Sequence, residues 1–171
     1  MKMIDLYLAQ LDREAKISRR ALERVPEGRR DWKPHEKSMA FGYLCTLVAS
    51  MPSWIALAIT QDELDLNPPG GSKYRPRDVS TARELVEMGD EAVEKARAAL
   101  KGTNEEHLMT RWKLLVAGKV VAEDPRHVVI EDTFTHLAHH RGQLTVYLRL
   151  NGAAVPSVYG PSADDRGFGS S

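Results

Sequence analysis

DPRHVVIEDTFTHLAHHRGQLTVYLRLNG, residues 124–152, carries the start, the faces and the stop of one long helix. Asp124 followed by Pro125 is a start signal, because proline's fixed φ suits the first helical turn and its missing N–H is not needed there. Asn151-Gly152 closes the helix. In between, a turn of about 100° per residue puts Ile130, Phe134, Leu137, Leu144 and Leu148 on one stripe. Val129, Thr133, His136, His140, Gln143 and Tyr147 form the stripe beside it. A helix over about 124–150 with so broad an inward face needs apolar partners.

The rest of the chain offers three. Ile4, Leu8, Leu11, Ala15, Ser18, Leu22 and Val25 recur four and three apart, one stripe of a helix over about 3–25 that Pro26 and Gly28 end. Residues 38–61, SMAFGYLCTLVASMPSWIALAITQ, contain no charge and predict a buried helix over about 39–61, with Ser38 as N-cap and a kink or break at Pro52. Thr81 and Glu84 have the spacing of a capping box and open a helix over about 81–101 that Gly102 stops. Trp32, in the connector after the first helix, is expected to tuck under the bundle. NPPGGSKYRPRD, 67–78, reads as a loop, and TRWKLLVAGKVVA, 110–122, as a small hairpin or extended excursion around Ala117-Gly118. The expected fold class is all-α: a four-helix bundle, one domain over 1–171, with that excursion before the last helix. The tail, 151–171, is expected to pack its first half on the bundle through Val155, Val158 and Tyr159, with loose final residues.

Composition narrows the function classes. Lys+Arg and Asp+Glu are both 24, so the formal net charge is zero and no basic excess marks a nucleic-acid binder. The uncharged segment is long enough to span a bilayer, but Gly42, Ser50, Pro52, Ser53 and its alanines fit a core helix better, so no membrane partner is expected. One cysteine, Cys45, excludes a disulfide framework within the chain and makes the cytoplasm the expected location. Asp5 interrupts any signal-peptide core early. GGSK at 70–73 lacks the spacing of a phosphate loop.

Three of the six histidines fall within five positions, 136–140. His136 and His140 are four apart, about 40° around the axis, and can converge on one ion. His139 turns about 100° away from His140 and cannot join them. Two readings stand side by side. The pair is either a hydrogen-bonded core pair, satisfied by Thr133, Gln143 or backbone, or two of the three ligands that a catalytic metal takes. Of the others, His35 lies in the connector before the second helix and is the alternative source of a third histidine, His107 is expected on the surface, and His127 sits more than two turns before His136.

HLAHHRGQLTVYLRLNGAAVPSVYGPSADD (136–165) resembles the C-terminal signature of the DinB-like (DinB/YfiT) family, DWKPHEKSMAFGYLCTLVASMPSW (31–54) its second-helix region, and LDREAKISRRALERVPEG (11–28) its first helix. The resemblance implies a four-helix bundle, often a homodimer, with a metal held by three histidines. Two of these map onto His136 and His140. The third belongs in the second helix, in a pattern matching SMAFGYLCTL, where this chain has Leu47. Leucine cannot donate to a metal. Cys45, about 200° round the helix from Leu47, is expected to point away as a buried thiol.

The resemblance thus implies a metal-dependent enzyme with a degenerate site, holding a divalent zinc, nickel or iron ion. It would be a transferase using a low-molecular-weight thiol, or a hydrolase, acting on a small-molecule substrate. Gln143, Tyr147 and Tyr159 would contact the substrate or support the ligands. The alternative is a non-catalytic small-molecule-binding or interaction module that keeps the bundle without the metal.

Overall fold

Proline 52 decides the shape of the uncharged segment. In the computed structural model, which describes residues 2–71, 77 and 79–166, the expected second helix is two helices, α2 (Phe41–Ser50) and α3 (Ser53–Thr60), bent by 51°. Proline has no N–H to donate and its ring displaces the preceding carbonyls, so the ladder breaks there. Ser53 repairs part of the break, its hydroxyl donating to the Ser50 carbonyl at 2.6 Å.

The remaining helices are α1 (Met3–Leu22), α4 (Ala82–Gly102), the single turn α5 (Glu105–Leu108) and α6 (Arg126–Leu150). Thr81 caps α4 as the capping box requires: its hydroxyl accepts from Glu84 N–H at 3.2 Å, and the Glu84 carboxylate accepts from Thr81 N–H at 3.0 Å. Ser38 does not cap α2. The first N–H groups of that helix, on Phe41 and Gly42, donate instead to the carbonyls of Trp32 and Arg30, both at 2.9 Å. The folded-back connector thus replaces a side-chain cap. Glycine at 42 suits this close approach, because a Cβ there would meet Arg30 Cβ at 3.1 Å and push the connector back by a few tenths of an ångström.

The chain is mostly helical but not all-α. The excursion is a hairpin, β2 (Arg111–Val116) and β3 (Lys119–Pro125), and β1 (Glu63–Asp65) adds to it in parallel, giving the order β1-β2-β3. Ala117 and Gly118, at φ 51 and φ 76, make the hairpin turn with the twist that two-residue loops favour. Asp65 joins β1 to that turn, accepting from Ala117 N–H at 3.0 Å and Gly118 N–H at 2.7 Å. The third strand was invisible to periodicity, because three residues cannot show a period and the pairing partner lies about 50 residues away.

The core forms two layers. One gathers Leu22, Leu44, Val48, Leu85, Leu137 and Leu144; the other gathers Leu11, Ile55, Ala96, Leu100, Ile130 and Phe134. Each layer takes side chains from α1, α4 and α6, with α2 serving the first and α3 the second. The bent pair therefore acts as one arm of a four-helix bundle. Trp32 packs against the first layer, edge-on to Tyr147 at 5.4 Å. Among the described residues no single helix is long and apolar enough to cross a membrane, and the bent pair that passes by length and composition buries Leu44, Val48, Ile55 and Ala58 inside the bundle.

Two buried arginines fasten α6. Arg126 meets the C-terminal end of α3, where carbonyls lack helical partners. It donates to Ala58 O and Gln61 O, each at 2.5 Å, and pairs with Asp62. Arg141 pairs with Glu14 of α1. In the tail, Val155 packs on the first core layer as expected, but Tyr159 is 61% exposed and the tail is held largely by acidic side chains: Asp164 accepts from Val155 N–H at 2.8 Å and pairs with Arg149 at 2.6 Å, and Asp165 pairs with Arg20. Parts of two expectations, the 67–78 loop and the loose final residues, fall on 72–76, 78 and 167–171, outside the described residues.

Candidate functional site

The α6 stripe of Val129, Thr133, His136, His140 and Gln143 builds the site. His136 and His140 meet as their spacing requires, Nε2 to Nε2 at 2.8 Å with ring centroids 4.6 Å apart. His140 is buried; His136 is exposed at the edge. Gln143 Oε1 accepts from His140 Nδ1–H at 2.8 Å, so the His140 proton sits on Nδ1 and its Nε2 lone pair faces His136. His136 Nε2–H then donates to it. Burial, followed by the neighbouring His140 and His139, holds the His136 imidazole below the usual histidine range, so it favours the neutral form. His139 lies on the exposed face, its ring 5.0 Å from His140. Trp54 of α3 meets the His136 ring edge-on at 5.5 Å.

A pocket of about 360 Å³ opens beside this pair. Val129, Asp132, Thr133 and His136 line it from α6 at i, i+3, i+4 and i+7, one helix face. Trp54 and Leu57 close it from α3. The sheet supplies the opposite wall through alternate residues, Leu64 and Leu66, Trp112 and Leu114, Ala122 and Asp124, because side chains two apart on a strand share a face. Register sets them in rows: Leu64 pairs Leu114, which pairs Ala122, and Trp112 pairs Asp124. The walls are apolar and the polar groups are few, the usual make-up of a small-molecule site.

The other sequence-derived candidates lie elsewhere. Tyr147 is buried among Trp32 and Phe41, and its hydroxyl donates to Met39 O at 3.2 Å. Tyr159 stacks its ring 5.2 Å from the Arg141 guanidinium, and its hydroxyl donates to Glu14 at 2.8 Å. Neither lines the pocket. Leu47 is half-buried against the first core layer. Cys45 is fully buried, and burial pushes its thiol up to about 12. His107 is not a free surface residue: its Nε2–H donates to Ile59 O at 2.8 Å, at the end of α3.

The donor set fails the test for a resident three-ligand metal. His136 and His140 offer two nitrogens, Leu47 offers none, and among the described residues no group of three His, Cys, Asp or Glu side chains can hold an ion. What sequence reading missed is the pocket's far wall. Trp112 and Leu114 alternate in the sequence, but only pairing with β1 and β3 turns that alternation into a surface.

The sequence matches the DinB family over residues 1–166, and the chain belongs to that family. Solved structures share its fold. A DinB-like protein from Bacillus subtilis is 19% identical, with TM-score 0.68 over 94% of this chain and 99% of that one. A DinB-like protein from Bacillus cereus ATCC 10987 is 17% identical, with TM-score 0.67 over 90% of this chain and 95% of that one. No curated protein matches the chain significantly.

Proposed function

We propose, with membership of the DinB family as the premise, that this chain is a small-molecule-binding protein that works without a resident metal. The observation that carries the reading is the pairing of an apolar pocket with a histidine pair that is satisfied by hydrogen bonds. His140 is held by Gln143, and His136 by His140, so both imidazoles have partners before any ion arrives. A catalytic zinc takes three protein ligands and keeps a fourth position open, and the family resemblance puts Leu47 where the third histidine would stand. The pocket then supplies affinity through Trp54, Leu57, Trp112 and Leu114, while His136 presents a neutral polar edge to one end of the ligand.

Two measurements test this. Plasma mass spectrometry on tag-free protein, beside a His136→Ala/His140→Ala control, is expected to find metal at background in both. Near-stoichiometric metal that the control loses would overturn the metal-free reading and send the search to thiol-transfer assays. Titration with prodan, a neutral environment-sensitive dye, is expected to give saturable one-site binding. Ala122→Trp, which fills the pocket from β3, is expected to abolish it. Binding unchanged in that variant would place the ligand site elsewhere.

A further inference from the structure

The charge of the pocket narrows what it takes. Its only charged lining residues among those described are Asp124 of β3 and Asp132 of α6; no Lys or Arg lines it. Both aspartates are exposed, so they sit at the rim rather than in the apolar interior. Most other acidic side chains near a structural element are engaged: Asp62 by Arg126, Asp65 by the hairpin turn, Asp90 by Arg19, Glu14 by Arg141. The Asp124 and Asp132 side chains have no ion pair or hydrogen bond among the described residues. The third polar ring at the pocket, His136, has its Nε2 committed to His140. No Lys or Arg of the lining offsets the two carboxylates.

We infer that the ligand is an amphipathic amine: an apolar body seated between the α3 and sheet walls, with an ammonium group at the Asp124–Asp132 rim. The inference rests on the pocket being the ligand site, as proposed above. Three features agree with it. Two carboxylates at the mouth of a low-dielectric cavity concentrate negative potential there. The indoles of Trp54 and Trp112 in the walls attract a cation by their quadrupoles. A volume of about 360 Å³ holds a two-ring body. The same field disfavours carboxylates and phosphates, and so disfavours an acidic thiol cofactor in this cavity.

The test uses three probes of one shape: 2-naphthylmethylamine, 2-naphthylmethanol and 2-naphthoate, titrated calorimetrically into the full chain at neutral pH. The amine is expected to bind about tenfold tighter than the carboxylate, with the alcohol between them. Asp124→Asn/Asp132→Asn, or raised salt, is expected to close the gap between the amine and the carboxylate. Carboxylate binding as tight as the amine's would overturn the charge assignment while the pocket reading stands. An amine preference that survives the double variant would overturn the role of the two aspartates. Failure of all three probes to bind would overturn the pocket reading and this inference with it.

Discussion

Arg141 Nη2 donates to Glu14 Oε2 at 2.5 Å, and both side chains are buried in the bundle. The pair joins α6 to α1 and is held by further bonds: Arg141 Nη1 donates to Ser18 Oγ at 2.9 Å and to Glu14 O at 3.2 Å, while Tyr159 donates to the same carboxylate oxygen at 2.8 Å. Arg141 Nε is buried without a hydrogen-bond partner among the described residues. Breaking such a pair leaves one charge buried without a partner, which costs about 3–5 kcal/mol. Glu14→Ala is therefore expected to lose that much in urea denaturation, and Glu14→Leu/Arg141→Met to recover most of it. A loss under about 1 kcal/mol for the single variant would mean that Arg141 reaches water or another acceptor.

Asp65 and Ala117 give a second prediction. Ala117 occupies the left-handed region at φ 51, where a non-glycine residue is disfavoured unless its surroundings hold it, and Asp65 holds it by accepting from its N–H. Ala117→Asn is expected to stabilise the chain by about 0.5 kcal/mol, since asparagine tolerates this conformation. Asp65→Ala is expected to free β1 from the hairpin, raising amide exchange at Lys113 and Leu66, whose N–H groups donate to Asp62 O at 3.1 Å and Leu115 O at 2.9 Å, and weakening prodan binding. Unchanged exchange at those amides would show that β1 holds without its aspartate.

The capping box on α4 sets part of the acid limb of stability. The N–H groups of Ser80 and Thr81, then their hydroxyls, hold the Glu84 carboxyl down at about 2, well below its ordinary 4.5. A carboxyl with a lowered folded-state value stabilises above its unfolded value and loses that contribution as pH falls. Stability is thus expected to decline from about pH 4.5 towards pH 2 partly through this group, and Glu84→Gln is expected to flatten that decline in thermal melts. Thr81→Ala is expected to cost about 1 kcal/mol at neutral pH. An acid limb of the same slope in the glutamine variant would assign it to other carboxylates.

Cys45 is expected to be inert in the folded chain. Its thiol lies in the first core layer and is pushed up by burial to about 12, so little thiolate exists at neutral pH. A chromogenic disulfide reagent should react only after denaturant is added. Rapid reaction under native conditions would show that α2 opens locally.

The sequence by itself determined the helices of the bundle, through three periodic stripes and one long uncharged run, although Asp124 and Pro125, read as the first turn of the last helix, belong to β3 and α6 begins at Arg126. Thr81 with Glu84 placed the start of α4, Pro52 the break between α2 and α3, and Asn151-Gly152 the end of α6. It also determined that His136 and His140 meet, since residues four apart on a helix share a face whatever surrounds them, and it placed Gln143 within reach of His140. Only the tertiary structure decided the rest. Ser38 lost its capping role because the connector folded back onto α2. Glu14 is buried because Arg141, distant in sequence, lies opposite it. The pocket exists because a three-residue strand pairs with a hairpin about 50 residues later and turns Leu64, Trp112, Leu114 and Asp124 towards α6. Helical contacts are local and leave their period in the sequence; a sheet wall and a buried ion pair are set by residues that meet only when the chain has folded.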